Sequence, residues 1–80
     1  MTLEETLQAV YDSEINAKIE WCWDGGFDVT VGPWTPRDGV TGDRTHVQHA
    51  SEIADAVQFL ACEAYPKSKF VREAQGGESE

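Results

Sequence analysis

The first twelve residues carry apolar side chains at helical spacing, at positions Leu3, Leu7, Val10 and Tyr11. Such a stripe at i, i+4, i+7 and i+8 is typical of an amphipathic helix. Thr2 and Glu5 stand three residues apart at its start and fit a capping box, in which each side chain binds the other residue's backbone N–H. The sequence therefore predicts a helix over residues 3–12 with one apolar face.

Strict alternation follows, with apolar residues at Ile15, Ala17, Ile19, Trp21 and Trp23, and then at Phe27, Val29 and Val31. A period of two predicts two strands that each bury one face. A three-residue loop at 24–26 would set Trp23 opposite Phe27 and keep every apolar residue on one face, whereas a two-residue loop would split the set. We therefore predict a hairpin with that register, and both indoles in the core.

Residues 32–44 are rich in proline and glycine and predict a connection of about thirteen residues, a length often found in functional or mobile loops. Trp34 and Arg37 lie in this connection, and both residue types are enriched at interface hot spots. Trp34 could instead fold down to close one end of a small core. A short third strand is expected at 45–48, with Val47 inward and His46 outward.

A main helix is predicted over residues 51–65, ended by Pro66. A final turn or two at 69–74, capped by Ser68, would let Phe70 and Val71 tuck back onto the core. Phe59 and Cys62 lie away from the apolar stripe of the main helix. We expect either the C-terminal segment or another chain to cover them, and a symmetric dimer is the simplest form of the second possibility.

These elements predict an α+β fold, namely a two-layer sandwich in α-β-β-β-α order with a small antiparallel three-stranded sheet and helices on one face. We predict a single domain over residues 1–75 and a disordered acidic tail over residues 76–80. The other sheet face would be open to solvent or to a partner. It would carry Lys18, Glu20, Cys22, Asp28, Thr30 and His46.

The formal net charge is −9, from fifteen acidic and six basic residues. This balance argues against direct binding of nucleic acid and against docking on anionic membranes. It favours simple solubility or a basic partner. No apolar run approaches the roughly 20 residues that a membrane span needs. The acidic start does not resemble a targeting segment, so a cytoplasmic location is expected.

Candidate chemistry is sparse. His46 and His49 are three residues apart and would point to opposite faces of a strand. Glu20, Cys22 and Asp28 could join His46 in a metal cluster only if the third strand adopts the expected register. A nucleophilic thiolate at Cys22 would need positive charge nearby, and the acidic composition disfavours such a nucleophile paired with His46. No catalytic residue, metal ligand or cofactor is therefore assigned.

The leading hypothesis is a cytoplasmic protein-interaction or regulatory module without catalytic activity that self-associates. Its interaction candidates are Trp34, Arg37, Phe59 and Cys62. One alternative is an acidic inhibitor that imitates nucleic acid and binds a DNA-binding protein. Another is a small-ligand or metal site on the open sheet face.

Overall fold

Three helices and five strands make up the computed structural model of the chain, which describes residues 2–74. In chain order they are α1 (Leu3–Asp12), β1 (Ala17–Cys22), β2 (Gly26–Val31), β3 (Trp34–Thr35), β4 (Gly39–Val40), β5 (Asp43–Val47), α2 (Ile53–Ala64) and α3 (Lys69–Ala74). Strands β1, β2 and β5 form an antiparallel sheet with β2 in the centre. The predicted α+β class is confirmed. The acidic tail predicted at 76–80 lies outside the described residues.

Helix α1 has the predicted bounds and cap. The Thr2 hydroxyl oxygen accepts from the Glu5 backbone N–H at 3.1 Å, and the Glu5 carboxylate accepts from the Thr2 N–H at 2.7 Å. The inward face differs from the expected stripe, because Thr6 and Val10 are buried while Leu7 and Tyr11 are exposed. The helix is thus rotated, and part of its apolar stripe faces outward.

The β1–β2 hairpin keeps all its apolar residues on one face, as predicted, but its register differs by two residues. Trp21 pairs with Phe27, and Cys22 pairs with Gly26, so the three-residue loop is 23–25. Gly26 has φ +80°, the left-handed conformation that such a loop requires of the residue after it. Trp23 therefore lies in the turn and not in the strand.

The core lies between α2 and the face of the sheet that carries Val29 and Val31, here called the inner face. Both valines are fully buried, as is Val57 of α2. Helix α2 packs mainly on β2 and β5, and α1 and α3 pack beside it. The Val71 backbone N–H of α3 donates to the Ser68 hydroxyl at 3.2 Å, and Val71 itself is buried. The predicted C-terminal turn is therefore confirmed.

The connection predicted at 32–44 contains a second, short hairpin, β3–β4. The Thr41 backbone N–H and hydroxyl both donate to the Pro33 carbonyl, at 2.8 and 2.9 Å. A side chain on Gly32 would collide with the Thr41 carbonyl oxygen, so the two ends of this segment are in backbone contact. The segment that was expected to be an irregular loop is thus held together where it begins and ends.

Trp34 does not close the core. Its side chain is 58% exposed on β3, where it pairs with Val40. Strands β3 and β4 have two residues each and form a sheet of their own, separate from the main sheet. The core interpretation of Trp34 was therefore wrong, and its indole remains on the surface.

Candidate functional site

Trp21 and Trp23 are both on the surface, and the prediction that they belong to the core was wrong. Trp21 is 68% exposed and Trp23 is 98% exposed. Trp23 is exposed because it lies in the turn. Trp21 does lie on the inner face, but at the end of edge strand β1, and α2 packs mainly on the other two strands. The alternation correctly predicted its face but not whether that part of the face is covered.

The aromatic residues at this end of the hairpin surround one hollow. The ring centroids of Trp21 and Phe27 are 6.3 Å apart with the planes tilted by 47°, within the usual range for an aromatic pair. The hollow has a volume of about 360 Å³. Its lining, which defines the hairpin-tip hollow, is Trp21, Cys22, Trp23, Asp24, Gly26, Phe27 and Gln48.

The charged residues nearest the hairpin tip in sequence are acidic. Residues 19–36 include three acids, Glu20, Asp24 and Asp28, and neither lysine nor arginine. Asp24 lines the hollow itself. Glu20 and Asp28 are paired directly across β1 and β2, on the opposite face of the sheet from Trp21. The charge at the aromatic surface itself is therefore that of Asp24, whereas Glu20 and Asp28 lie on the other face of the sheet.

The open sheet face brings together the residues that the sequence placed there. Cross-strand pairs put Lys18, Glu20, Cys22, Asp28, Thr30 and His46 on the face opposite the core. The Lys18 ammonium lies 3.7 Å from the Glu20 carboxylate. Thr30 is buried, although it lies on this face between Lys18 and Arg44. It is therefore not available to a partner.

His46 is held on this face by two hydrogen bonds. Its Nδ1 lies 2.8 Å from the Asp28 carboxylate, and its Nε2 lies 2.8 Å from the Gln48 amide nitrogen. A neutral imidazole satisfies both contacts, since Nδ1–H donates to Asp28 and Nε2 accepts from Gln48. Both ring nitrogens are thus engaged, and neither is turned toward Cys22 or a metal. The ring also occupies the space over Gly26.

The cluster considered for a metal does not form a ligand set. Within residues 2–74, no three side chains among His, Cys, Asp and Glu are arranged to hold a metal ion. Cys22 is exposed opposite Gly26, and no disulfide joins it to Cys62 in the described part of the chain. The exposed groups of this face are available for polar contacts.

The four interaction candidates lie in two places. Trp34 and Arg37 are exposed in or next to the β3–β4 hairpin. Phe59 is 63% exposed on α2, whereas Cys62 is half-buried and packs against the core. Phe70 of α3 is buried in the core and does not cover Phe59, so of the two alternatives, cover by the C-terminal segment is not seen within residues 2–74.

Sequence reasoning missed the hairpin tip as a surface. The position of the turn could have predicted that this surface is exposed. With Gly26 as the left-handed residue after the loop, the three preceding residues form the loop, and they include Trp23. The spacing of apolar residues alone favours the opposite result, because it treats every large apolar residue as one to be buried.

No helix within residues 2–74 is both long and apolar enough to cross a bilayer. Comparison of the chain with protein-family models, with curated proteins and with solved structures gives no match.

Proposed function

We propose that this protein is a small non-catalytic module that binds another protein through the tip of its β1–β2 hairpin. The observation that carries the proposal is the shared exposure of Trp21 and Trp23 beside Phe27 around one hollow. Single exposed apolar residues are ordinary on protein surfaces, but contiguous aromatic patches mark interaction sites. Tryptophan is also among the residues that most often dominate binding energy.

Contacts within the chain hold the backbone of the hairpin tip in place without a partner. The Gly25 backbone N–H donates to the Cys22 carbonyl at 3.1 Å and closes the turn. A side chain on Gly26 would meet the Val47 carbonyl oxygen at 2.8 Å, so β5 is packed directly against the start of β2. A preformed site loses less conformational freedom on binding than a flexible loop does. This rigidity supports a docking role for the tip.

The charge of the chain supports a basic partner. Two copies that each carry a net charge of −9 repel one another, whereas a positively charged protein is attracted and steered. The proposed compartment remains the cytoplasm. Self-association is a second candidate, favoured by Phe59 on α2, which is exposed in the part of the chain that the structure describes.

Affinity capture with matched variants tests the proposal. The bait is the tagged full chain, as wild type, as Trp21→Ala/Trp23→Ala, and as Tyr11→Ala. Tyr11 is the control because it is an aromatic residue, 78% exposed, on α1 away from the hollow. We expect wild type and Y11A to retain the same protein from a lysate of the source cells, and the double variant to lose it. Circular dichroism checks that all three are folded.

Two results would contradict the proposal. In one, the double variant retains the partner as well as Y11A does. In the other, wild type retains nothing above an untagged control. Sedimentation of wild type against Phe59→Ala separately tests self-association. A partner that a DNA duplex displaces would instead favour the alternative of an acidic inhibitor that imitates nucleic acid.

A further inference from the structure

We infer that the hairpin-tip hollow binds the cationic end of an arginine or lysine side chain, presented by a basic segment of the partner. The inference rests on the proposed function and specifies the chemistry of its partner. Three features support it: the aromatic rings, the size of the hollow, and the sign of the surrounding charge.

The rings offer the surfaces that cations prefer. An indole face carries negative potential, and tryptophan is the strongest of the aromatic residues in binding a cation over its ring. Trp23 is almost entirely exposed, and Trp21 and Phe27 are tilted toward one another at 47°. A flat guanidinium group can stack on such a ring while its edge donates hydrogen bonds.

The size of the hollow fits one side chain. At about 360 Å³ it lies at the lower end of the range for small-ligand sites, about 300–1,000 Å³. It is therefore too small for a folded element but large enough for the end of an arginine or lysine side chain. The remaining contacts of a partner would fall on the rim.

The charge around the hollow is complementary to a cation. Asp24 lines the hollow and can accept a forked pair of hydrogen bonds from a guanidinium group. Residues 19–36 supply no lysine or arginine that would neutralise Asp24 locally. A nucleobase could stack on the indoles, but the phosphates of a nucleic acid would be repelled by Asp24 and by the net charge of −9. A basic protein segment therefore fits this site better than a nucleic acid does.

A peptide titration tests the inference. The probes are a short capped Gly/Arg peptide and the same peptide with citrulline, which is neutral and nearly isosteric, in place of arginine. The indole N–H signals of the ¹⁵N-labelled protein report binding. We expect the arginine peptide to shift the signals of Trp21 and Trp23 but not that of Trp34, which lies outside the hollow. We expect the citrulline peptide to bind more weakly.

Two variants separate the contribution of the aromatic face from that of the carboxylate charge. Trp23→Ala removes one aromatic face, and Asp24→Asn removes the charge while preserving the shape. Each is expected to weaken the arginine peptide by roughly two- to fivefold, the effect of one exposed cation–π contact or charge pair. Tyr11→Ala, the matched control, is expected to leave the affinity unchanged.

Equal binding of the two peptides, an unchanged affinity in D24N, or equal shifts at Trp34 would each overturn the inference. The capture experiment distinguishes this failure from failure of the proposed function. If capture still depends on Trp21 and Trp23 while the arginine peptide does not bind, the tip is an interaction site for a partner of different chemistry. A second copy of the chain as that partner would appear as concentration-dependent shifts without peptide.

Discussion

The two ends of the inner sheet face follow the same alternation and have opposite surroundings. At one end, Val29 and Val31 are completely buried beneath the helices. At the other, Phe27 is half-buried and Trp21 is mostly exposed. All four lie on the same face of one continuous hairpin. The difference teaches that alternation determines the direction of a side chain, whereas the extent of the covering layer determines its burial.

The position of α2 explains the difference. The helix has twelve residues and packs mainly on β2 and β5, so edge strand β1 receives less cover. Trp21 is near the end of that edge strand, and Trp23 is beyond it. The structure thus has a covered end that stabilises the fold and an aromatic end that contributes little to the core.

The largest expected effect on stability is at the covered end of the inner face. Leu60 of α2 is almost completely buried in the core. Leu60→Ala would leave a cavity under α2, and we expect it to lower the free energy of unfolding by about 2–5 kcal/mol. Chemical denaturation followed by circular dichroism measures this change. A loss below about 1 kcal/mol would show that α2 does not pack on the sheet as described.

A second large effect is expected where the β3–β4 hairpin meets β2. Gly32→Ala would force a side chain onto the Thr41 carbonyl, and we expect a loss at the upper end of about 1–3 kcal/mol. Gly39→Ala is the control, because Gly39 has φ +72° but open space around it. Its expected loss is smaller, about 1 kcal/mol, from backbone strain alone. The reverse order in denaturation would contradict the backbone contact at Gly32.

The capping box of α1 is expected to make an intermediate contribution to the stability of the fold. Thr2→Ala removes the acceptor for the Glu5 N–H, and we expect a loss of about 1 kcal/mol, while Thr2→Ser should retain most of the stability. Thermal unfolding of the two variants measures the difference. Equal losses in both would mean that the hydroxyl group does not cap the helix.

The same box makes α1 sensitive to acid. The Thr2 backbone N–H, and then its hydroxyl, lower the pKa of Glu5 below its ordinary value of 4.5. A lowered pKa means that the folded state favours the carboxylate, so this stabilisation is complete above pH 4.5 and is lost as the pH falls through the folded-state pKa. We expect Glu5→Gln to remove this part of the pH dependence. If the helicity of α1 falls with decreasing pH in E5Q as it does in wild type, the stabilising role of the Glu5 carboxylate is contradicted.

The smallest effect on stability is expected at the hairpin tip. Trp23→Ala should change the free energy of unfolding by no more than about 0.5 kcal/mol, because the indole has few partners to lose. The same variant should weaken binding, as proposed above. A loss of about 2 kcal/mol or more on denaturation would place Trp23 in the core and remove the contrast between the two ends.

Much of the fold could be predicted from local patterns. The Thr2–Glu5 box and the helical stripe gave the bounds of α1, and the alternation gave the hairpin and the open face with His46. These features depend on neighbours in sequence. The open-face residues were predicted together because a strand's period of two leaves only two faces.

The hairpin tip could not be predicted in the same way. The register differs by two residues because Gly26 has to follow the loop, and a shift of two keeps every side chain on its original face. Alternation alone therefore cannot distinguish the two registers. Whether Trp21 is covered depends on where α2 packs, which is a tertiary property. The hydrogen bond between His46 and Gln48 was also missed, since their relative placement depends on how β5 ends.

Tryptophan quenching tests the exposure of the hairpin tip most directly. Trp23→Phe/Trp34→Phe leaves Trp21 as the single tryptophan, and Trp21→Phe/Trp34→Phe leaves Trp23. Acrylamide is the quencher, because it is neutral and is not repelled by the acidic chain. We predict that Trp23 in the folded protein is quenched nearly as strongly as a free indole in water, and Trp21 somewhat less, with only small increases on unfolding. If either indole is strongly protected from acrylamide and loses this protection on unfolding, that residue belongs to the core and the account is contradicted.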